Sequence, residues 1–288
     1  MDLAAVGVWS LAFTHGDRSE ARDAAAELEE LGYGAVWLGG SPGGNPSGDL
    51  VTAAEVLAAT DRMIVATGCV SIWERPPERL AATYHSLPRR QRDRLLVGLG
   101  VSHADFVGRY HEPYRALCSY LDALDAAVPA LPPSARVIGA HGPRMTRLAA
   151  ARSTGVHPYL VSPAHTAWAR SVLGDGPVLS VEQTVIAHTD AGEARARARA
   201  MLAPYLRLRN YRSAWLRGGF DAEDLASGGS DRLVDALFVW GDPARIAARL
   251  TEHRRAGADH VAVQVVTDTP GTFARRAWRD LAPELVAE

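Results

Sequence analysis

Apolar residues along the chain fall into short solid runs, separated by longer stretches in which they recur every third or fourth position. The runs lie at 5–9, 35–38, 63–72, 95–99, 136–140, 157–161, 179–187 and 260–266. Most are continuous rather than alternating, the pattern of strands covered on both faces, as in a parallel sheet. The stretches between them carry helix signals. Asp17-Arg18-Ser19-Glu20 fits a capping box, with Ala21, Ala24, Leu28 and Leu31 on one face behind it and Gly32 as the stop. Leu117, Tyr120, Leu121 and Leu124 form an amphipathic stripe. Pro143 opens a helix running to Arg152, Asp242-Pro243 starts one that Gly257 ends, and Pro88 cuts short the helix before it.

The early runs recur at about the thirty-residue size of one strand–helix unit. Eight runs with helical crossovers predict a closed (β/α)8 TIM barrel rather than an open sheet. The gap between 187 and 260 breaks the rhythm. It reads as a helix over 191–206, a segment over 210–220, a turn at Ser227-Gly228-Gly229-Ser230 and a helix over 231–240. The expected organisation is one domain over 1–288, with a helical insertion after the seventh strand at roughly 191–240.

Composition narrows the function. The net charge of -2 argues against a nucleic-acid surface or a polybasic membrane patch. All 31 basic residues are Arg, which removes Schiff-base chemistry and a phosphate-binding P-loop lysine. The two cysteines, Cys69 and Cys118, have no metal-like spacing and give no disulfide framework. The first residues lack a signal-peptide pattern, and no apolar stretch nears the ~20 residues that cross a bilayer. A soluble, cytoplasmic protein is expected.

Barrel enzymes place their chemistry where strands run out into loops. Here those ends carry few acids. No carboxylate pair suits glycoside hydrolysis, no three ligands suit a metal, and no G-x-S-x-G elbow occurs. Glycines, small polar groups and histidines remain, which suits a large planar cofactor that brings its own reactivity. Gly100, Val101, Ser102 and His103 close the fourth strand, where glycine lets a flat ring approach the backbone. The same string also reads as a simple glycine turn with an exposed His. His141, Gly142, Pro143 and Arg144 close the fifth strand and open a helix, an anion site or an ordinary first turn. Thr67, Gly68 and Cys69 lie in the third strand, where the glycine marks a bulge or a close approach. Cys69 reads as a small buried apolar residue rather than a nucleophile. Trp9, Phe13 and Trp73 are candidates to line an apolar pocket, while Trp37 reads as core.

Taken together, these strings resemble the luciferase-like monooxygenase superfamily, in its coenzyme F420-dependent branch. The resemblance runs through 27–37, Thr67-Gly68, Ser71-Ile72-Trp73, 97–103, Gly142-Pro143-Arg144-Met145, His157-Pro158-Tyr159, Asn210-Tyr211-Arg212, 228–234 and 256–261, nearly the whole length. It implies a bacterial-luciferase-like barrel holding a deazaflavin at its mouth. It implies a third-strand bulge at Gly68-Cys69, often with a non-prolyl cis peptide, behind the central ring. Ser102 and His103 inherit the reacting edge, and Gly142, Pro143 and Arg144 the phosphate end. One departure stands out. Relatives carry an acid or an Asp-His pair after the second strand, where this chain has Gly39-Gly40-Ser41-Pro42-Gly43-Gly44.

The resulting expectation is an F420-dependent oxidoreductase moving a hydride between the deazaflavin and a small organic substrate. His103 is the proton donor or acceptor, and Gly40, Thr67, Gly68, Cys69, Gly100, Val101, Ser102, His141, Gly142, Pro143 and Arg144 hold the cofactor. Trp9, Phe13, Trp73 and Tyr211 face the substrate, with Tyr205, Asn210 and Trp215 in the roof, and no metal is expected. An FMN-dependent monooxygenase on the same fold and a cofactor-binding barrel without turnover are the alternatives. A homodimer is the default assembly, with no nucleic-acid or membrane partner.

Overall fold

All but the sixth of the apolar runs become strands, with side chains buried on both faces and neighbours on either side. In the computed structural model, which describes residues 3–40, 49–269 and 271–286, the strands are β1 (Val6–Ser10), β2 (Ala35–Gly39), β3 (Ile64–Gly68), β4 (Val70–Ser71), β5 (Leu95–Gly100), β6 (Arg136–Ile138), β7 (Gly155–Val156), β8 (Val178–Ile186), β9 (Phe238–Trp240) and β10 (His260–Val265). The ladder runs β10-β1-β2-β3-β5-β6-β7-β8, and β8 pairs back onto β10 to close it. Every pairing is parallel. The closed sheet has eight staves, because β3 and β4 share the third and β9 pairs onto the end of β8. With helices between the staves, this is a TIM barrel.

Local signals set the helix ends. The Asp17 carboxylate caps Arg18–Glu30 by accepting from the N–H groups of Ser19 and Glu20, and Gly32 takes φ 92° beyond its end. Asp242 caps Pro243–Arg255 by accepting from Arg245 N–H. Pro143 stands in the first turn of Pro143–Arg152. Leu117, Tyr120, Leu121 and Leu124 are all buried. Outside the barrel sheet, the main core fills the space under the helices. A separate inner cluster, with Trp9, Trp37, Ala66, Leu96, Val137 and Ala262 among its members, fills the barrel itself.

Three boundaries differ from the sequence reading. The sixth stave is Gly155–Val156, not 157–161; beyond it only single backbone bonds continue, from His157 N–H to the Ile138 carbonyl at 2.9 Å and from Glu182 N–H to the Pro158 carbonyl at 3.1 Å. The expected helix over 231–240 stops at Leu237, and its apolar tail Phe238–Trp240 pairs with Thr184–Ile186 of β8 as a strand. The expected helix over 191–206 ends at Leu202 and is followed by a single turn, Tyr205–Arg207. Periodicity alone does not separate a short buried strand from a helix end; the neighbouring strand decides.

The third stave carries the irregularity that shapes the mouth. Ala66 pairs with Leu96 and Val70 pairs with Leu99. Four steps along one strand therefore face three along the other, which is one extra residue and a bulge. The Gly68-Cys69 peptide within it is cis. Glycines on three neighbouring staves make room for it. A Cβ at Gly98 would stand 1.8 Å from the Thr67 carbonyl oxygen, one at Gly40 2.7 Å from Cys69 N, and one at Gly139 3.0 Å from Cys69 Sγ. Thr67 is tied in by donating to the Gly98 carbonyl at 3.1 Å and accepting from Gly98 N–H at 2.8 Å. Gly98→Ala is expected to lower stability by about 2–3 kcal/mol, because the methyl meets backbone that has nowhere to move. Urea denaturation will show this as a fall in the midpoint at unchanged slope.

Candidate active site

At the C-terminal ends of the staves the bulge, the end of β5 and the segment 204–211 enclose one cavity of about 340 Å³. That lies at the lower end of the range for small-molecule sites. Gly40, Gly68, Cys69, Gly100, Val101 and Ser102 supply one part of its wall. His103, His141, Trp9 and Tyr211 supply another. So ten of the sixteen residues singled out for catalysis, cofactor or substrate meet in one place, with Tyr205 and Asn210 of the expected roof beside them. The six others do not line it. Thr67 is buried in the bond pair with Gly98. Phe13 packs edge-on against Phe273 at 5.1 Å and parallel to Trp278. Trp73 lies against Tyr110 and His111 and donates from Nε1 to the Val101 carbonyl at 2.6 Å, so it props the end of β5 from outside. Gly142, Pro143 and Arg144 lie beyond His141; Arg144 is exposed, with its guanidinium 4.1 Å above the Tyr114 ring. Of the loop 39–44, Ser41, Pro42, Gly43 and Gly44 lie outside the described residues.

The sequence reading passed over Ser71, Phe106, Gly139, His157 and Tyr159 as site residues, and all five line the cavity. His157 and Tyr159 were visible as part of a motif but were placed in a strand; they lie just beyond the end of the sixth stave. Beneath them the Glu182 carboxylate accepts from Leu160 N–H at 2.8 Å and from Thr184 Oγ1 at 2.5 Å. Nothing in the chain's periodicity points to that inward acid.

The roof is the turn Tyr205–Arg207 and the helix Arg209–Arg217. Tyr211 places its ring 4.6 Å from His141, 5.0 Å from Tyr205 and 5.6 Å from His103. The roof is tied to the barrel by hydrogen bonds. Trp215 Nε1 donates to the Leu160 carbonyl at 3.4 Å, Tyr205 Oη meets Tyr159 Oη at 3.4 Å, and Arg217 donates to the His141 carbonyl at 2.6 Å.

Burial favours the neutral forms of the cavity's own ionisable side chains, though Arg217 and Asp105 lie nearby. Burial lowers the His103 pKa, while a hydrogen bond with Asn210 and the charge of Asp105 pull it back up. Burial takes His141 down to about 4, against its bond to the Tyr159 carbonyl, and His157 down to about 3. It pushes the Cys69 thiol up to about 12, with the negative charge of Asp49 adding to the effect, so that thiol is no nucleophile. Burial also raises the Glu182 carboxyl to about 7, against the two bonds it accepts. Among the described residues, no three His, Cys, Asp or Glu side chains gather as a metal ion would need.

A (β/α)8 barrel with its cavity at the C-terminal mouth, over a bulged third stave, defines the class. The profile of the luciferase-like monooxygenase family matches residues 3–260, and the chain belongs to that family, whose members are oxidoreductases. No curated protein matches it in sequence. Solved structures share the fold at low identity. An F420-dependent secondary alcohol dehydrogenase in complex with an F420-acetone adduct is 13% identical, with TM-score 0.73 and 99% of both chains covered. The coenzyme F420 dependent tetrahydromethanopterin reductase from Methanopyrus kandleri is 13% identical, with TM-score 0.76 and 99% of both chains covered. The oxygenating constituent of 3,6-diketocamphane monooxygenase from Pseudomonas putida, in complex with FMN, is 12% identical, with TM-score 0.71 and 99% of this chain and 98% of that one covered. No described helix is long and apolar enough to cross a membrane.

The buried imidazoles set the acid response. His141, His157, His165, His253 and His260 all sit at about 3 to 4 in the fold against an ordinary 6.5. The unfolded chain therefore takes up protons that the fold refuses, and stability drains away as pH falls below about 6.5. Glu182, raised to about 7, works the other way between about 4.5 and 7, and burial raises Glu74 in the same direction, against these five and the lowered His103. Thermal unfolding at pH 5 is expected at a lower temperature than at pH 7.5; an equal or higher midpoint contradicts this balance.

Proposed function

We propose that the protein is a coenzyme F420-dependent oxidoreductase that moves a hydride between the deazaflavin and a small organic substrate. The carrying observation is the character of the cavity. Its polar groups are neutral imidazoles, phenols, hydroxyls, an indole, the Asn210 amide and backbone, and among the described residues no ionised acid, thiolate or metal set is there to do chemistry unaided. A flat heterocycle fits a wall that is part glycine backbone and part aromatic face. Gly40, Gly68, Cys69, Gly100, Val101, Ser102 and His141 would hold the ring. Gly142, Pro143 and Arg144 would take the phosphate end at the start of Pro143–Arg152, where free N–H groups and the helix dipole favour an anion. When bound, a deazaflavin supplies a two-electron hydride acceptor or donor.

The chain's own part is proton handling and shielding. His103, neutral at physiological pH because burial lowers its pKa, is ready to accept a proton. In alcohol oxidation the imidazole would take the hydroxyl proton and the bound deazaflavin would accept the hydride, leaving a carbonyl product. Phe106 and Tyr211 flank His103 at 5.7 and 5.6 Å and limit its motion. Tyr205, Tyr211 and Leu208 keep water from above.

A monooxygenase using FMN is the second reading, favoured by the likeness to the camphane enzyme over an equal share of the chain. The strings Val101-Ser102-His103 and Gly142-Pro143-Arg144-Met145 support the deazaflavin instead. Fluorescence titration with oxidised coenzyme F420 and with FMN decides between them. F420 is expected to bind at least about tenfold more tightly, a difference of about 1.4 kcal/mol; tighter FMN binding overturns the reading.

His103→Ala is expected to lower kcat for alcohol oxidation by about a hundredfold while leaving F420 affinity nearly unchanged. The wild-type rate is expected to fall on acidification, with a midpoint below the ordinary imidazole value of 6.5, and the variant to lose that limb. An unchanged profile removes His103 from proton transfer.

A further inference from the structure

A base needs a free lone pair as well as a suitable pKa. A neutral imidazole carries its one proton on either ring nitrogen, and the hydrogen bond at one nitrogen decides which of the two stays free. For His141, His157 and His260 a backbone carbonyl makes that choice, from Tyr159, Ser180 and Ala4. For His103 the partner is a side chain on another element. Asn210, in the first turn of the roof helix Arg209–Arg217, hydrogen-bonds its ring.

The two side chains are brought together by a frame that does not depend on their own bond. Ser102, just before His103, takes a left-handed backbone at φ 53°, which a side-chain-bearing residue rarely adopts. The His103 carbonyl then accepts from Phe106 N–H at 3.0 Å and Val107 N–H at 3.1 Å, so the chain turns back at once. Phe106 stands edge-on to the imidazole at 5.7 Å, and Tyr211, the neighbour of Asn210, lies 5.6 Å from it. The roof helix is fixed further along by Trp215 on the Leu160 carbonyl and Arg217 on the His141 carbonyl. His103 and Asn210 both line the cavity. The other ionisable groups beside the ring are Asp105 on its own loop, His141 beyond β6 and Tyr211 on the roof. The charge of Asp105 favours the protonated ring, while burial keeps His141 neutral down to about 4 and holds the Tyr211 phenol well above its usual range. The Asn210 bond also favours the protonated ring, which is the effect of an acceptor. An aspartate in its place would hold the proton more strongly and turn the base into an acid; a neutral amide orients the ring without adding charge.

We propose that Asn210 is the positioning residue of the base: its carboxamide oxygen accepts from one ring N–H of His103 and leaves the other ring nitrogen as the lone pair that takes the substrate's proton. Asn210 acts through His103 and takes no proton itself. The inference rests on the reading of His103 as the proton acceptor in an oxidoreductase.

Nitrogen NMR of the full chain, with its histidines labelled, tests this with or without cofactor. His103→Ala identifies the His103 signals by their loss. At pH 7.5 the wild type is expected to show one tautomer, with one ring nitrogen protonated and the other free; two tautomers in comparable amounts overturn the proposal without any variant. Asn210 is exposed, so its substitution is expected to leave the thermal midpoint near that of the wild type. Asn210→Leu removes the acceptor and is expected to mix the tautomers and move the His103 titration midpoint down. Asn210→Asp keeps an acceptor and adds charge; it is expected to restore the single tautomer and move the midpoint up by about one pH unit. An unchanged tautomer and midpoint in Asn210→Leu overturn the proposal. So does a midpoint that rises in that variant, because the amide is then a donor. In turnover with F420, Asn210→Leu is expected to lose about tenfold in kcat with KM nearly unchanged, and the acid limb of Asn210→Asp to move up with its NMR midpoint. Full turnover in Asn210→Leu despite mixed tautomers removes the positioning role. If the NMR shifts appear and F420 does not bind, the Asn210–His103 pairing stands and the cofactor reading falls.

Discussion

The mouth of this barrel is shaped by a steric constraint around one bulge. The extra residue in the third stave brings Thr67, Gly68 and Cys69 into space that side chains on adjacent staves would otherwise fill. Gly40 from the second, Gly98 from the fourth and Gly139 from the fifth give up their Cβ atoms to it. The glycines that suggest a ring-binding backbone in the sequence thus have a prior task in the fold, which is to accommodate a backbone segment of the protein itself. Only after that are Gly40, Gly68, Gly100 and Gly139 left facing a cavity.

Around that bulge the protein builds polarity without charge. Burial removes the charge from the interior histidines, and fixed carbonyl partners choose the tautomer: Ser180 for His157, Tyr159 for His141 and Ala4 for His260. Glu182 follows the same logic with opposite sign, since burial raises an acid as it lowers a base. A neutral, desolvated setting strengthens each remaining hydrogen bond and leaves the reactive charge to whatever binds.

The segment after His157 joins barrel to roof. Leu160 takes a left-handed backbone at φ 56°, its N–H held by Glu182 and its carbonyl by Trp215. Tyr159 next to it offers its carbonyl to His141 and its hydroxyl to Tyr205. The roof over His103 is therefore tied to the barrel interior through Leu160 and Trp215.

Much of this was legible in the sequence. Solid apolar runs at one-unit spacing determined all but the sixth of the staves, their parallel pairing and the closed barrel. Asp17, Pro143 and Asp242 marked helix starts through local chemistry that needs no distant partner. The strings ending at Ser102 and His103 located the mouth. Tertiary structure decided the rest, for a common reason: these features depend on which neighbour occupies the adjacent space. Phe238–Trp240 is a strand because β8 offers an edge there. His157 and Tyr159 lie beyond the end of the sixth stave at Val156 and line the cavity. Phe13 and Trp73 look like pocket residues by type, but Phe273 and Trp278 claim the first, and the Val101 carbonyl, Tyr110 and His111 claim the second. A residue's chemistry is written in the chain; whether it is spent on packing or left free at a site is settled only when the chain closes around it.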